Sequence, residues 1–145
     1  GIRDFSFSLD GKGGSGALKT RALDGNEVSL EVTVTYKVST EPEKLNKLFK
    51  FIGTSMDKVE ETLLSIARAD IRTYMNELRT SQFINSTSSY GALEQVQTKL
   101  NERLGPFGLE FKQLKLDSYR FDDEYEDLLK QIQKFHLSTS YPLKT

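Results

Sequence analysis

The amino-acid sequence predicts an α+β domain, with helices packed on one face of a mostly antiparallel sheet. Apolar and polar residues alternate from Glu27 to Val38, which indicates a strand with one buried face. Amphipathic helical patterns occupy the middle of the chain, and a strand pattern returns after Gly105-Pro106. Strands first, helices in the middle and a returning strand are typical of this class. We expect the 145 residues to form a single domain.

Residues 1–16 are predicted to form an N-terminal strand followed by a glycine-rich loop. Phe5, Phe7 and Leu9 alternate with serines, so three large apolar groups share one face of this strand. Such alternation usually marks a face that completes a hydrophobic core. Residues 11–16 read Gly-Lys-Gly-Gly-Ser-Gly, and we expect them to form a mobile hairpin loop.

The next two strands are predicted to form a hairpin. A short strand covers Ala17 to Leu23, and Asp24-Gly25 is a strong turn signal because both residue types tolerate positive φ. The strand that follows has the clearest alternation in the chain. Its apolar face carries Val28, Leu30, Val32, Val34, Tyr36 and Val38.

Two helices are predicted after this hairpin. Thr40-Glu41-Pro42-Glu43 has the pattern of a capping box with proline in the first turn, and the short helix that it opens is expected to end near Gly53. Thr54 to Asp57 repeats the capping pattern before a longer helix. The wide apolar surface of that helix predicts a central position on the sheet, and it carries Val59, Leu63, Leu64, Ile66, Ala67, Ile71, Tyr74, Met75 and Leu78.

Thr80 to Ser89 is predicted to be a polar linker, followed by a helix that ends at Gly105-Pro106. In the returning strand, Leu109 and Phe111 share one parity, whereas Leu114 and Leu116 share the other. A β-bulge near Lys112-Gln113 would place all four on one face.

The start of the C-terminal helix is predicted over residues 122–137. Acidic Asp122, Asp123 and Glu124 lie in its first turn, where the helix dipole favours them. The side chains that follow at a/d spacing lead toward a coiled coil, and Pro142 is expected to stop the helix. That apolar seam consists of Tyr125, Leu128, Ile132 and Phe135.

Composition excludes several functional classes. The chain has 20 basic and 21 acidic residues, so no net basic field draws it to nucleic acid or to anionic lipid. It contains no cysteine, which removes disulfides and thiolate chemistry. We find no apolar run as long as a membrane span. Because the sequence begins at Gly1 rather than Met, we expect it to be an excised or processed piece of a longer protein, so that any anchor would lie upstream of it.

No motif indicates a catalytic, cofactor-binding or metal site, and we expect this chain not to be an enzyme. Gly11 to Gly16 matches a nucleotide-loop pattern, but the helix that would hold a pyrophosphate does not follow it. His136 is the only histidine, and we interpret it as a surface residue. The Asn85-Ser86-Thr87 glycosylation pattern carries no weight without a secretory context.

Three charged residues of the long helix need partners. Arg68 and Arg72 lie four residues apart on one face, so they are either solvated or paired with acids, and we expect pairing within the chain or between subunits. Asp70 lies on the apolar stripe, so we expect its carboxylate to be hydrogen-bonded and structural.

The order of these features resembles the stomatin/prohibitin/flotillin family, also called the SPFH or band 7 family. The resemblance runs from about Ala17 to Phe135. It rests on Leu23-Asp24-Gly25-Asn26, the alternating strand, Pro42, the long helix with Arg68 and Arg72, a second helix, the Gly-Leu-Glu-Phe strand and the acidic helix start. The resemblance implies a membrane-associated scaffold that forms large homo- or hetero-oligomers. It also implies the organisation of membrane microdomains, or the regulation of a membrane protease or channel.

The resemblance also implies roles for particular residues. Phe5, Phe7 and Leu9 would form the membrane-proximal edge, beside the point where a family anchor enters. Self-association would use the seam of the final helix and a match between its acids and Arg68 or Arg72. Two other classes remain open: a small-ligand- or lipid-binding domain without catalysis, and a hydrolase that uses only carboxylates. The side of the membrane is not indicated.

Overall fold

The computed structural model describes residues 3–9 and 17–140. The glycine-rich loop of residues 11–16 and the stop predicted at Pro142 lie outside this part. The described elements are β1 (Arg3–Leu9), β2 (Leu18–Arg21), β3 (Glu27–Val38), α1 (Pro42–Phe51), α2 (Met56–Met75), α3 (Thr80–Ile84), α4 (Ser86–Leu104), β4 (Leu109–Phe121) and α5 (Asp123–Ser140). A 3-10 turn over Gly105–Phe107 joins α4 to β4. The predicted α+β class is confirmed.

The sheet is built around β3, which pairs antiparallel with the other three described strands. β4 runs along one side of β3, whereas β1 and β2 share the other side. The two ends of the sheet are named after the helices that leave them. The end marked by Val38 and its partners Arg3 and Leu109 is called the α1 end, because α1 follows Val38. The end marked by the Val28–Phe121 pair is called the α5 end, because α5 follows Phe121.

One face of the sheet is sealed by α2 and α4. Every second residue of β3 is buried, as the alternation predicts, and these side chains share one hydrophobic cluster with the buried residues of both helices. Burial of each large aliphatic side chain contributes about 1.5–3 kcal/mol. α2 buries Val59, Leu63, Ala67, Ile71 and Met75, and the apolar residues buried by α4 are Ala92, Leu93, Val96, Leu100 and Leu104.

Two β-bulges keep the apolar residues of β4 on the buried face. The first leaves Lys112 without a partner in β3, because Phe111 pairs with Tyr36 and Gln113 with Thr35. This bulge lies where the change of parity predicts it. The second bulge was not predicted and leaves Asp117 unpaired in the same way. The Asp117 carboxylate accepts a 2.6 Å hydrogen bond from the Thr33 hydroxyl on the polar face.

The first helix lacks the capping box predicted from Thr40 to Glu43. Its N-cap is Glu41, which makes no side-chain capping bond. Pro42, the first helical residue, has no N–H group and a fixed φ, so it suits the first turn without a side-chain cap at Glu41. The second cap falls within the predicted segment: Ser55 accepts a 3.3 Å bond from the Lys58 N–H.

The predicted polar linker from Thr80 to Ser89 is wrong, because α3 and the start of α4 occupy it. Thr80 is buried although it is polar, since its N–H and hydroxyl donate to Asp24 Oδ1 at 3.0 and 2.8 Å. Asn26 Nδ2 donates to the same hydroxyl at 2.8 Å. These bonds dock the turn between β2 and β3 onto the start of α3.

α4 begins earlier than predicted because Asn85 caps it. The Asn85 side chain accepts a 3.0 Å hydrogen bond from the Thr87 N–H, which satisfies one of the unpaired donors at the helix start. Phe83 anchors the preceding turn in the core. One buried aromatic residue and one cap thus give a serine- and threonine-rich segment a helical structure.

Candidate functional site

The C-terminal helix α5 is fixed to the sheet by its first turn. Asp122 caps it, accepting a 2.8 Å hydrogen bond from the Tyr125 N–H. Glu126 reaches back and accepts a 3.0 Å bond from the Phe121 N–H at the edge of β4. The Phe121 and Tyr125 rings pack edge-to-face with centroids 5.0 Å apart. Backbone, carboxylate and aromatic contacts therefore set the direction in which α5 leaves the sheet.

Beyond this first turn, the predicted apolar seam is exposed. Tyr125 packs partly against the core, whereas Leu128, Ile132 and Phe135 are 48%, 44% and 66% exposed. Leu129, on a neighbouring face, is partly buried. The sequence pattern thus identifies the helix, and the structure places three of its four seam residues in solvent.

Most of the charged residues assigned to self-association have contacts within their own chain. Arg72 Nε donates a 3.1 Å hydrogen bond to the Lys19 carbonyl oxygen, which joins α2 to the outer edge of β2. Asp123 pairs with Arg120 on the surface. Arg68 is half-buried, and Glu124 is exposed in the first turn of α5. Asp70 Oδ1 is bound to Arg103 of α4 at 3.2 Å, so the expected hydrogen bond is present, whereas Oδ2 is buried without a partner in the described structure.

A comparison with protein-family models decides the family. The model described as "SPFH domain / Band 7 family" matches residues 2–137, which is nearly the whole chain. The chain belongs to the SPFH family. The resemblance predicted from the order of its elements is therefore confirmed. A comparison with curated protein sequences found no match.

The structure corrects the membrane-proximal edge expected for this SPFH domain. Phe7 and Leu9 are buried in the core, because β1 pairs with β3 and turns these side chains toward the helices. Only Phe5 is half-exposed, and its ring stacks on Tyr36 with centroids 5.5 Å apart. The core interpretation therefore holds for Phe7 and Leu9, which are not available to contact a membrane. None of the described helices has both the length and the apolar character needed to cross a bilayer.

One exposed aromatic residue of the SPFH domain was missed from the sequence. Phe51, the last residue of α1, is 63% exposed and contacts Phe107 edge-on. The signal was present in Leu48-Phe49-Lys50-Phe51, because one face of a short helix cannot bury three large apolar residues in four positions.

The clefts on the described surface have mixed polar and apolar linings. One of about 660 Å³ lies between α2 and α4, beside Tyr74, Glu94 and Lys99. Another of about 440 Å³ lies at the base of α5, beside Asn26 and Asp127. Within residues 3–9 and 17–140, no group of three acidic or histidine side chains is placed to hold a metal ion. The side chain of His136 lies outside the described part.

Proposed function

We propose that this SPFH domain is a membrane-associated scaffolding module that assembles with copies of itself through the apolar seam of α5. The exposure of Leu128, Ile132 and Phe135 is the observation that carries this proposal. Their spacing is that of a helix–helix seam, and helix pairing would remove all three from water. Membership of the SPFH family over residues 2–137 supports the scaffolding role.

The seam is short, which sets the expected strength of the contact. Tyr125 to Phe135 covers about one and a half heptads, whereas a stable coiled coil needs about three or four. The 145-residue chain alone is therefore expected to be a monomer or a weak dimer. The complete polypeptide, with its membrane anchor, is expected to form large assemblies that organise the membrane or regulate a membrane protease or channel.

Ion pairs between copies would make the strength of the proposed contact depend on salt concentration. Acids at the start of α5 would meet Arg68 or Arg72 of a neighbouring copy, with the modest strength of exposed ion pairs. Arg72→Glu also breaks the bond between α2 and β2 in its own subunit. Glu124→Lys is the cleaner reversal, because Glu124 neither caps α5 nor pairs with Arg120.

The test compares membrane extracts of the complete polypeptide in wild-type and Leu128→Ser/Ile132→Ser forms. Sedimentation should show a large assembly for the wild type and smaller species for the double variant. Leu23→Ser is the matched control, since Leu23 is 60% exposed but lies at the β2–β3 turn. An unchanged assembly in the double variant would exclude the α5 seam. A monomeric wild-type polypeptide outside the membrane fraction would exclude the scaffold.

A further inference from the structure

The α1 end of the sheet carries an aromatic and basic surface, which we call the α1 patch: Lys47, Lys50, Phe51 and Phe107. The Phe51 and Phe107 rings contact each other with centroids 6.2 Å apart, and Phe51 is 63% exposed. Phe107 is half-buried and lies just before β4 begins. Two adjacent rings, one of them mostly in water, therefore form an apolar prominence at this end of the domain.

Two lysines border this prominence. Lys50 Nζ lies 5.3 Å from the centroid of the Phe51 ring, and Lys47 is exposed one helical turn earlier. Lys44 is different, because it pairs with Glu41 at 3.3 Å. We therefore assign the positive charge of the patch to Lys47 and Lys50. Their long side chains can keep contact with apolar surface while the ammonium groups reach an anionic layer.

The opposite end of the sheet carries an acidic cluster, in which Asp123 is paired with Arg120. Asp122, Asp123, Glu124, Glu126 and Asp127 cluster where α5 begins. Val38 lies ten residues after Val28 along β3, which corresponds to about 33 Å. This distance is several times the screening length of about 8 Å at physiological salt. A negatively charged plane would therefore attract one end of the domain and repel the other.

We infer that the α1 patch is the surface by which this domain lies on an anionic lipid bilayer. Phe51 would enter the boundary between headgroups and acyl chains, where surface-bound amphipathic segments bury Trp, Phe and Leu side chains. Lys47 and Lys50 would face the headgroups. The inference rests on the proposed membrane association and adds its orientation: α5 begins at the end far from the bilayer, where its seam is accessible to other copies.

A small anionic ligand fits this end of the domain less well. A cleft of about 470 Å³ opens beside the patch, lined by Lys37, Lys44, Glu41 and Glu110. Its lysines and carboxylates offset each other, and Glu41 already pairs with Lys44. An exposed ring bordered by lysines has instead the chemistry of a surface that meets an extended lipid layer.

The test measures binding of the 145-residue chain to phosphatidylcholine vesicles with and without phosphatidylserine. Binding should require phosphatidylserine and weaken with salt. Lys47→Gln/Lys50→Gln should weaken it about 25-fold, because each lysine near an anionic surface contributes about fivefold. Phe51→Ser should weaken it about tenfold, through loss of the buried ring. Matched controls are Lys130→Gln/Lys134→Gln on α5 and Tyr90→Ser, where Tyr90 is 55% exposed on α4.

A second measurement reports orientation and does not depend on variants of the patch. Because the chain has no cysteine, Asn46→Cys and Gln131→Cys each accept one environment-sensitive fluorophore. The probe on α1 should shift to the blue with anionic vesicles, and the probe on α5 should not. No binding by the wild type, equal binding by patch and control variants, or equally tight binding to polyglutamate would overturn the lipid assignment. None of these outcomes bears on assembly of the complete polypeptide, which is tested separately.

Discussion

The helices α2 and α5 have similar sequence patterns and opposite environments. Both repeat apolar residues every three or four positions over about five turns. In α2 the repeated residues are fully buried, whereas in α5 Leu128, Ile132 and Phe135 are largely exposed. The apolar repeat therefore identifies a helix with a face to bury, and it does not identify what covers that face.

The difference arises from how each helix is joined to the sheet. α2 lies between β3 and β4 in sequence, and side chains tie it to other elements near its C-terminal end: Arg72 to the backbone of β2 and Asp70 to Arg103 of α4. α5 follows the last described strand and is tied mainly at its first turn, by Asp122 and Glu126. Farther along α5, Leu128 and Ile132 remain largely exposed.

The largest predicted effect tests this contrast with the same substitution in both helices. Leu63→Ala in α2 should lower the free energy of unfolding by about 2–5 kcal/mol, because it opens a cavity in a packed core. Leu128→Ala in α5 should change it by less than about 0.5 kcal/mol in the isolated chain. Urea unfolding of both variants at low protein concentration measures the difference. Equal losses would mean that α5 is covered within its own chain.

Substitution of Thr80 is predicted to lower the free energy of unfolding less than substitution of Leu63, although Thr80 is almost fully buried just beyond α2. Thr80→Val keeps the shape of the side chain but removes the hydroxyl that bonds to Asp24 and Asn26, and should cost about 1–3 kcal/mol. Thr80→Ser keeps the hydroxyl and is the control. If valine and serine have the same effect, the hydroxyl does not contribute to docking the turn onto α3.

Acid pH should reveal the same contact. Hydrogen bonds from the Thr80 hydroxyl and backbone N–H hold the pKa of Asp24 below its ordinary value of 3.8. Because the folded-state pKa is lowered, this stabilisation is present above about pH 4 and is lost as the pH falls through the lowered value. The pH dependence of unfolding below pH 4 should therefore be shallower in Thr80→Val than in Thr80→Ser.

Tyr36 lies in the core. Removal of its hydroxyl should change stability less than the loss of the Thr80 hydroxyl does, and in the opposite direction. Tyr36 is fully buried among Phe5, Phe7 and Phe111, and its hydroxyl has no hydrogen-bond partner in the described structure. Tyr36→Phe removes that unsatisfied group without changing the ring, so stability should stay constant or rise by about 1 kcal/mol. Thermal unfolding measures this change. A loss above about 1 kcal/mol would show that the hydroxyl has a partner.

Alkaline pH gives an independent readout for Tyr36. Burial, with a smaller contribution from the charge of Glu60, raises its pKa from 10.0 to about 12. The Tyr36 hydroxyl keeps its proton to a higher pH in the folded state than in the unfolded state. Its ionisation therefore does not affect the free energy of unfolding below pH 10, and it lowers that free energy as the pH rises toward 12. Urea unfolding should show this loss in the wild type and a reduced loss in Tyr36→Phe. The same slope in both would assign the alkaline transition to other groups.

The sequence predicted the parts of the fold that local patterns determine, and it missed a part that depends on contacts between distant residues. Periodicity located the strands and the longer helices, and parity located the bulge at Lys112. The same rule, extended to Tyr119 and Phe121, would have located the second bulge at Asp117. α3 was missed because Thr80 is satisfied by residues more than fifty positions away, which no local pattern records.

The candidate site was predictable to a similar extent. The spacing from Tyr125 to Phe135 identified the seam, and only the structure shows how much of it is exposed. The expected membrane-facing role of Phe7 and Leu9 was wrong because alternation does not distinguish a core face from an interface. Phe51 was missed because the helical pattern of α1 does not show which of its apolar side chains the core leaves exposed.

The smallest predicted effect concerns the surface pair at the start of α5. Arg120 and Asp123 are 70% and 86% exposed, so their attraction is largely screened by water and salt. Arg120→Ala should change the free energy of unfolding by less than about 0.5 kcal/mol, and added salt should reduce that difference further. Asp122→Ala is the matched comparison one residue from Asp123. It removes the cap that accepts the Tyr125 N–H and should cost about 1 kcal/mol. If Arg120→Ala costs as much as Asp122→Ala, the ion pair helps to fix the direction of α5, and the helix is held more firmly than its exposed seam indicates.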